Sequence, residues 1–343
     1  MRAAVFEGIG RPLALREVPE PQIGPGDLLL QVALCGICGS DLHASEVPDY
    51  RLQPGTILGH EFAGTVIASG DPAFRPGDRL AGIPFAPCAE CEPFGECRKG
   101  LAAVCPGIRG QGFSPAAPGA YAERVRIRAS QALRLPDGVG FEAGAMLEPL
   151  AVGAHAVAMA EMPPGARVLV TGAGPIGLAV AVMARLSGAG AVVVSEPASA
   201  RRARAARLGA TAVLDPNAAP LAEAFAEAAG GPPDLIFECV GIPGMLQRMV
   251  ELAPPRCRIV VVGVCMEEDR LRPRMAIRKE LSFRFVLAYT RADFAAVLGH
   301  VEAGAIRVED FVTEVIGLGA LPAGFEALRR PADQVKVLVD PAR

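Results

Sequence analysis

The hydrophobic pattern changes rhythm along the chain. In the first part, short apolar runs rich in β-branched residues are split by Gly/Pro turns. "DLLLQVALCG", "HEFAGTVIASG" and "GDRLAGI" each read as a strand bounded by turn residues. That is the pattern of an all-β domain whose loops carry the unusual residues. Near Met162 the pattern changes. "MPPGARVLVTGAGPIGLAVAVMARLSGAGAVVVSEP" is a strand, a Gly-rich turn, an apolar helix, a turn and a second strand. Helix "SARRARAARLG" follows, with Gly209 as its stop. Then come strand "AVLD", helix "PLAEAFAEAAG", strand "DLIFECVG", helix "PGMLQRMVELA" and strand "CRIVVVGV". Strands alternating with helices predict right-handed βαβ units on a parallel sheet. After about Phe283 the pattern is mixed again. The order predicts an α/β chain: a doubly wound parallel-sheet domain over 152–284, inserted in a mostly β domain formed by 1–151 and 285–343.

Composition narrows this picture. At 343 residues, 51% hydrophobic and 21% charged, the chain can build two sizeable cores. Trp is absent and aromatics are 5%, so those cores are Val, Leu, Ala and Ile, which suits a buried parallel sheet. Lys+Arg number 34 against 37 Asp+Glu, a net charge of −3 that argues against nucleic acid or anionic membranes as partners. No uninterrupted apolar run reaches the ~20 residues of a spanning helix. The start, "MRAAVFEGIG", reads as strand and turn and not as a secretory leader. A soluble cytoplasmic protein is expected.

"VLVTGAGPIG" places Gly172-x-Gly174-x-x-Gly177 after a β-branched strand and at the start of a helix. Gly172 permits the tight turn, Gly174 lets a pyrophosphate approach the backbone, and Gly177 lets helix and strand pack closely. Pro175 sits where a missing N–H is no loss, with Ile176 beside it. Free N–H groups there favour a phosphate. Glu196, in "VVVSEP", closes the second strand, where a carboxylate accepts hydrogen bonds from an adenosine ribose and repels a 2′-phosphate. NAD is therefore expected over NADP. Against this stands the run Arg201, Arg202, Arg204 and Arg207, most of which reads as the solvated face of the next helix; Arg201, nearest the adenosine end, is a candidate to bind the ribose, or a phosphate if Glu196 turned away. Val240, Val262 and Val264, in "ECVG" and "VVVGV", are further candidate cofactor contacts.

Of nine cysteines, Cys88, Cys91, Cys97 and Cys105 fall within one loop-like lobe, 86–106, spaced C-x2-C-x5-C-x7-C. Four thiolates on a short irregular loop can close a tetrahedral shell around Zn²⁺, which makes a structural site. Cys35, Cys239, Cys257 and Cys265 sit in apolar surroundings and read as core thiols. A second possible metal set is scattered: Cys38 on the turn after "LLLQVAL", His60 and Glu61 in "LGHEFAGTV", and Glu148 in "MLEPLAV". Cys, His and carboxylate make a donor set suited to zinc with a place left for water or substrate. Spacing alone does not show that these residues converge.

"CGICGSDLH", "GHEFAGTV", the four-cysteine lobe, "EPLAVGAHA" and "TGAGPIG" occur in one order. Together they resemble the zinc-dependent medium-chain alcohol, polyol and butanediol dehydrogenases, over essentially the whole chain. The resemblance implies a Rossmann domain inserted in a GroES-like catalytic domain, with catalytic and structural zinc ions and a nicotinamide cofactor. It implies that Cys38, His60 and a glutamate hold the catalytic zinc, with Glu61 and Glu148 each able to ligate directly or through water. It makes Ser40 the first acceptor of the alcohol proton and His43 its relay to solvent. Asp41 orients its neighbours. Relatives in this family are commonly dimers or tetramers. The chain departs from the family in one spacing: five residues, not the usual two, separate Cys91 from Cys97.

Glutamate in "EPLAV" resembles the polyol and butanediol branch, yet two polyol features are missing. Ala44 stands where sorbitol-type enzymes carry a tyrosine, and Ala288 where they hold a substrate-binding arginine; Tyr289 is kept. The expected reaction is hydride transfer between a secondary alcohol or diol with an apolar flank, open-chain or cyclic, and NAD, giving the ketone. Tyr50, Phe285 and Leu287 are candidates to line its pocket. A polyol or sugar-phosphate dehydrogenase is the alternative. A bare nucleotide-binding module has no need of Cys38, Ser40, His43, His60, Glu61 and Glu148 together.

Overall fold

The computed structural model describes residues 1–88, 95, 97, 100, 102–105, 109–330 and 333–343. The chain divides into two compact units: Met1–Glu148 with Thr290–Arg343, and Pro149–Tyr289. One helix, Phe141–Ala160, runs through the first junction.

In the first unit a seven-stranded sheet runs in the order Val312–Gly317, Lys336–Asp340, Asp27–Gly36, Glu61–Ser69, Arg79–Gly82, Ala132–Arg134, and Arg124–Arg128 also pairs with Asp27–Gly36. Asp27–Gly36 is the hub. It is antiparallel to Glu61–Ser69, with Gly36 opposite Glu61, and to Lys336–Asp340, with Leu338 opposite Gly36. Leu28, Leu30, Val32, Phe62, Tyr121 and Phe325 pack the core beneath it. Burying such side chains supplies about 1.5–3 kcal/mol each.

The second unit carries a six-stranded, all-parallel sheet in the order Ala212–Leu214, Ala191–Ser195, Arg167–Thr171, Leu235–Glu238, Arg258–Val261, Ser282–Phe285. In chain order that is 3-2-1-4-5-6, the doubly wound arrangement. Its strands are continuous apolar runs, "RVLVT", "AVVVS" and "LIFE", as both faces of such a sheet are covered. The topological switch falls between Arg167–Thr171 and Leu235–Glu238, so the Gly172 loop opens at the crevice where such sheets bind ligands.

Phe141–Ala160 is apolar enough in composition to cross a membrane, but 72% of that stretch is buried inside the protein, as in a core helix.

Candidate metal and cofactor sites

Sheet register, not sequence proximity, assembles the scattered metal set. Gly36 pairs with Glu61, so Cys38, just past one strand, and His60, just before the other, emerge at the same sheet end. The donor atoms of Cys38, His60 and Glu61 all lie within 4.8 Å of one another. Past Cys38 the predicted turn winds into the helix Gly39–Glu46, capped by Cys38. Asp41 supplies the reason: its Oδ2 accepts the Cys38 amide at 3.2 Å, satisfying a free donor at the helix start. The helix puts Ser40 and His43 three residues apart on one face. The Ser40 hydroxyl donates to Cys38 Sγ at 3.2 Å and stands 3.4 Å from His60 Nε2.

His60 is held from behind. Its Nδ1 lies 3.1 Å from Asp41 Oδ1, and the Tyr121 hydroxyl donates to Asp41 Oδ2 at 2.6 Å. Burial pulls the His60 pKa down, but the Asp41 charge and hydrogen bond outweigh it and hold the imidazole well above its usual range. Burial likewise pushes Asp41 up, and the His60 charge with hydrogen bonds from His60, Tyr121 and the Cys38 amide brings it below the ordinary carboxylate range. A carboxylate behind an imidazole fixes which ring nitrogen faces a metal. The donor set of sulfur, nitrogen and oxygen, buried and pre-oriented, fits zinc.

His43 sits half-buried. Burial lowers its pKa, with Glu46 opposing in part, and its Nδ1 is buried with no hydrogen-bond partner among the described residues. Glu148 is buried on Phe141–Ala160, near enough for its charge to act on Lys336.

Lys336 escaped the sequence reading. It is 1% exposed, and its Nζ donates to Glu61 Oε1 at 2.7 Å, Oε2 at 2.6 Å and Ile37 O at 3.1 Å. Burial acts to lower its pKa, but the Glu61 charge more than offsets that and raises it. A lysine inside the apolar run "VKVLV" was the available signal.

In the lobe, Cys88 Sγ lies 3.3 Å from Cys105 Sγ and 3.6 Å from Cys97 Sγ. A tetrahedral zinc shell, with bonds of ~2.3 Å, sets sulfurs about 3.8 Å apart, so these three fit one. Cys91, the predicted fourth, lies outside the described residues.

In the second unit Gly172 takes φ +88°, and a Cβ on Gly177 would collide with the Gly172 carbonyl. Nothing lies within 4 Å of where a Gly174 Cβ would stand, so that backbone is open to approach. Pro175 and Ile176 open the helix Pro175–Leu186. Glu196 is buried; its Oε2 accepts the Ala173 amide at 2.8 Å and its Oε1 the Ala198 amide at 2.9 Å. The carboxylate thus stitches the glycine loop to the next turn. Arg202 donates to the carbonyls of Glu196 and Pro197 and pairs with Asp215, while Arg201 stands partly buried on Ser199–Arg207. Val262 is buried, and Val240 and Val264 are exposed past the carboxyl ends of their strands. Of the substrate candidates, Tyr50 belongs to the first unit, whereas Phe285 and Leu287, both exposed, belong to the second. Ala44 is fully buried.

The first unit thus holds a metal-suited cluster, and the second a glycine-loop crevice of the kind that binds dinucleotides. Residues 175–303 match the family model for a zinc-binding dehydrogenase, and 24–137 that for an alcohol dehydrogenase GroES-like domain. The sorbitol dehydrogenase of Gallus gallus is 32% identical, over 95% of this chain and 93% of its own. The (R,R)-butanediol dehydrogenase of Neisseria gonorrhoeae is 30% identical, over 99% of each. A solved zinc-binding dehydrogenase from Sinorhizobium meliloti, bound to NADP, is 31% identical with a TM-score of 0.89, covering 99% of both chains. The chain belongs to the zinc-dependent medium-chain dehydrogenase family.

Proposed function

We propose that this enzyme oxidises a secondary alcohol or diol with an apolar flank to the ketone, with NAD as hydride acceptor. The convergence of Cys38, His60 and Glu61 within 4.8 Å, with Ser40 against two of them, carries the reading. Cys38, His60 and a glutamate would hold the catalytic zinc, and Cys88, Cys91, Cys97 and Cys105 the structural one. A zinc ion there supplies Lewis-acid polarisation of the alcohol oxygen, and the nicotinamide supplies the hydride acceptor.

The remaining work falls to side chains of the chain itself. Ser40 Oγ takes the hydroxyl proton and passes its own to His43, one turn on. His43 is suited to receive it, because burial keeps the ring neutral at pH 7. Glu196 places a negative charge at the end of its strand, which favours a ribose diol over a 2′-phosphate and supports NAD.

The apolar flank rests on two positions. Ala44 supplies no hydroxyl where the resemblance expects a tyrosine, and Ala288 offers no guanidinium. A buried substrate hydroxyl without a partner costs about 1–3 kcal/mol. Reduced-nicotinamide formation across a substrate panel, with NAD and with NADP, tests the whole reading. Cyclohexanol, 2-butanol and 2,3-butanediol should show higher kcat/KM than sorbitol or xylitol, and NAD higher than NADP. Better turnover of sorbitol or xylitol would establish the polyol alternative, which the sorbitol dehydrogenase relative favours.

A further inference from the structure

Glu238, in the second unit, is a buried charge without a counter-charge. It ends the strand Leu235–Glu238 and is 1% exposed. Its Oε1 accepts the Val240 amide at 2.7 Å and the Gly241 amide at 2.9 Å, a pair of donors that suits an ionised carboxylate. Among the described residues Oε2 accepts no hydrogen bond and no cation pairs with the group. Oε2 turns toward the end of the neighbouring strand, where a Cβ on Gly263 would stand 2.8 Å from it. Burying a carboxylate without a cation is costly, so its place calls for a reason. The space beside it supplies one. Glu238 lines a cavity of about 360 Å³ with Ile242, Met245, Val262, Val264 and Phe285, at the carboxyl ends of three neighbouring strands. Among the described residues no lysine, arginine or histidine lines this cavity. Its other two carboxylates are placed differently: Asp269 accepts the amides of Gly244 and Leu246 at the start of the helix Met245–Leu252, and Glu267 is exposed.

The symmetry of the sheet says which half of a dinucleotide belongs there. A doubly wound sheet is two mononucleotide-binding halves that meet at the switch point. The glycine loop and Glu196 belong to the first half, which takes the adenosine. The second half, whose first strand ends at Glu238, is left for the nicotinamide nucleoside. The oxidised nicotinamide ring is a cation, and the reduced ring, having taken a hydride, is neutral. A fixed carboxylate at a largely apolar cavity therefore acts on the two redox states unequally.

We infer that Glu238 is the counter-charge for the oxidised nicotinamide ring: it favours the cationic form of the bound cofactor over the neutral one and lowers the reduction potential of the bound couple. The Val240 and Gly241 amides fix its place. For alcohol oxidation, this eases release of the reduced cofactor. The inference rests on the reading that the crevice binds a nicotinamide dinucleotide, and holds equally for NAD and NADP.

The test is calorimetric titration of the zinc-loaded, full-length protein with the oxidised and reduced forms of whichever cofactor, NAD or NADP, binds more tightly. Glu238→Gln keeps an oxygen for the Val240 and Gly241 amides and removes the charge. It should raise Kd for the oxidised form about 10-fold relative to the reduced form, which raises the potential of the bound couple by about 30 mV. A purely structural Glu238 would move both constants together. A dinucleotide with a neutral benzamide ring in place of nicotinamide isolates the charge further. The parent should bind it about 10-fold more weakly than the oxidised cofactor, and in Glu238→Gln that gap should close to less than about 3-fold, a coupling read by the cycle of protein and ligand changes. The inference is overturned if Glu238→Gln shifts the oxidised and reduced constants equally, or if the parent binds the benzamide dinucleotide as tightly as the oxidised cofactor. Should Glu238→Gln not fold, that comparison on the parent decides the matter. The two levels separate cleanly: if the parent binds neither form of either cofactor, the underlying reading falls, while tight binding of both forms with no bias from Glu238 sinks only the role of Glu238.

Discussion

Among its described residues the first unit contains two clusters suited to zinc, and they are built in opposite ways. Cys88, Cys97 and Cys105 come from one short stretch, are all sulfur, and lie 3.3–3.6 Å apart along their linked contacts. With a fourth thiolate such a shell is closed, and a closed shell can only hold structure together. Cys38, His60, Glu61 and Lys336 come from the ends of three strands and mix sulfur, nitrogen, oxygen and an ammonium. Around them stand Asp41 and Tyr121, which orient, and Ser40 and His43, which can carry a proton. Chemistry needs an open place and a proton route, and among the described residues only the dispersed cluster has the groups for both.

Cys38→Ser should break that cluster at its centre. Losing a metal that contributes several kcal/mol to the transition state predicts a fall in kcat/KM of about 10³-fold or more. Metal analysis should show one zinc lost per chain, with the circular dichroism spectrum unchanged. Intact activity in the serine variant would remove the catalytic role from this cluster.

His43→Ala comes next in size. A positioned proton carrier contributes about 10²–10⁴-fold, and bulk water can replace part of a relay, so a loss of about 10² is expected. The pH profile is the sharper readout. Burial holds the His43 pKa below the usual histidine value, so His43 is protonated only at pH below that lowered pKa, where it cannot accept a proton. Alcohol oxidation should therefore rise with pH to a break beneath the ordinary histidine range, and that break should vanish in the alanine variant. Persistence of the break would assign it to another group.

Glu196→Gln moves the comparison into the second unit. The glutamate joins the glycine loop to the following turn through the Ala173 and Ala198 amides while keeping its charge near the crevice. Removing that charge should lower kcat/KM with NAD by about 10-fold, the worth of one charged hydrogen bond, and narrow the preference over NADP. An unaltered NAD/NADP ratio would show that Glu196 serves the loop alone.

These differences also track what the sequence made legible. The glycine loop and the cysteine lobe are contiguous, so residue type and spacing carry their geometry. For the dispersed cluster the residue types were readable, but convergence was not, because it depends on Gly36 facing Glu61 across two strands. Gly39–Glu46 reads as a turn because it has no apolar stripe; its buried residues are Asp41, Ala44 and Ser45, held by a cap and not by a hydrophobic face. Phe141–Ala160 was not among the predicted helices, being apolar on most sides with Pro149 inside it. Lys336 looked like a charge in a strand, and only three-dimensional pairing reveals its partner as Glu61.

Cys97→Ser is the counterpart of Cys38→Ser and should have the smallest effect on chemistry. Cys97 Sγ accepts the Cys88 amide at 3.4 Å and lies beside Cys88 Sγ, so its loss opens the all-sulfur shell without touching Cys38, Ser40 or His43. One zinc per chain should again be lost, yet kcat of the folded protein should stay within about 3-fold of the parent, since a closed site contributes folding energy and not catalysis. The deficit should appear instead in thermal unfolding, where each 1 kcal/mol lost lowers Tm by roughly 2–4 °C in a domain of 150–250 residues. The two cysteine variants would then lose the same metal count with opposite consequences, one in rate and one in stability. A large fall in kcat for Cys97→Ser at full folding would mean that the lobe feeds the reaction, and the division between the two clusters would fail.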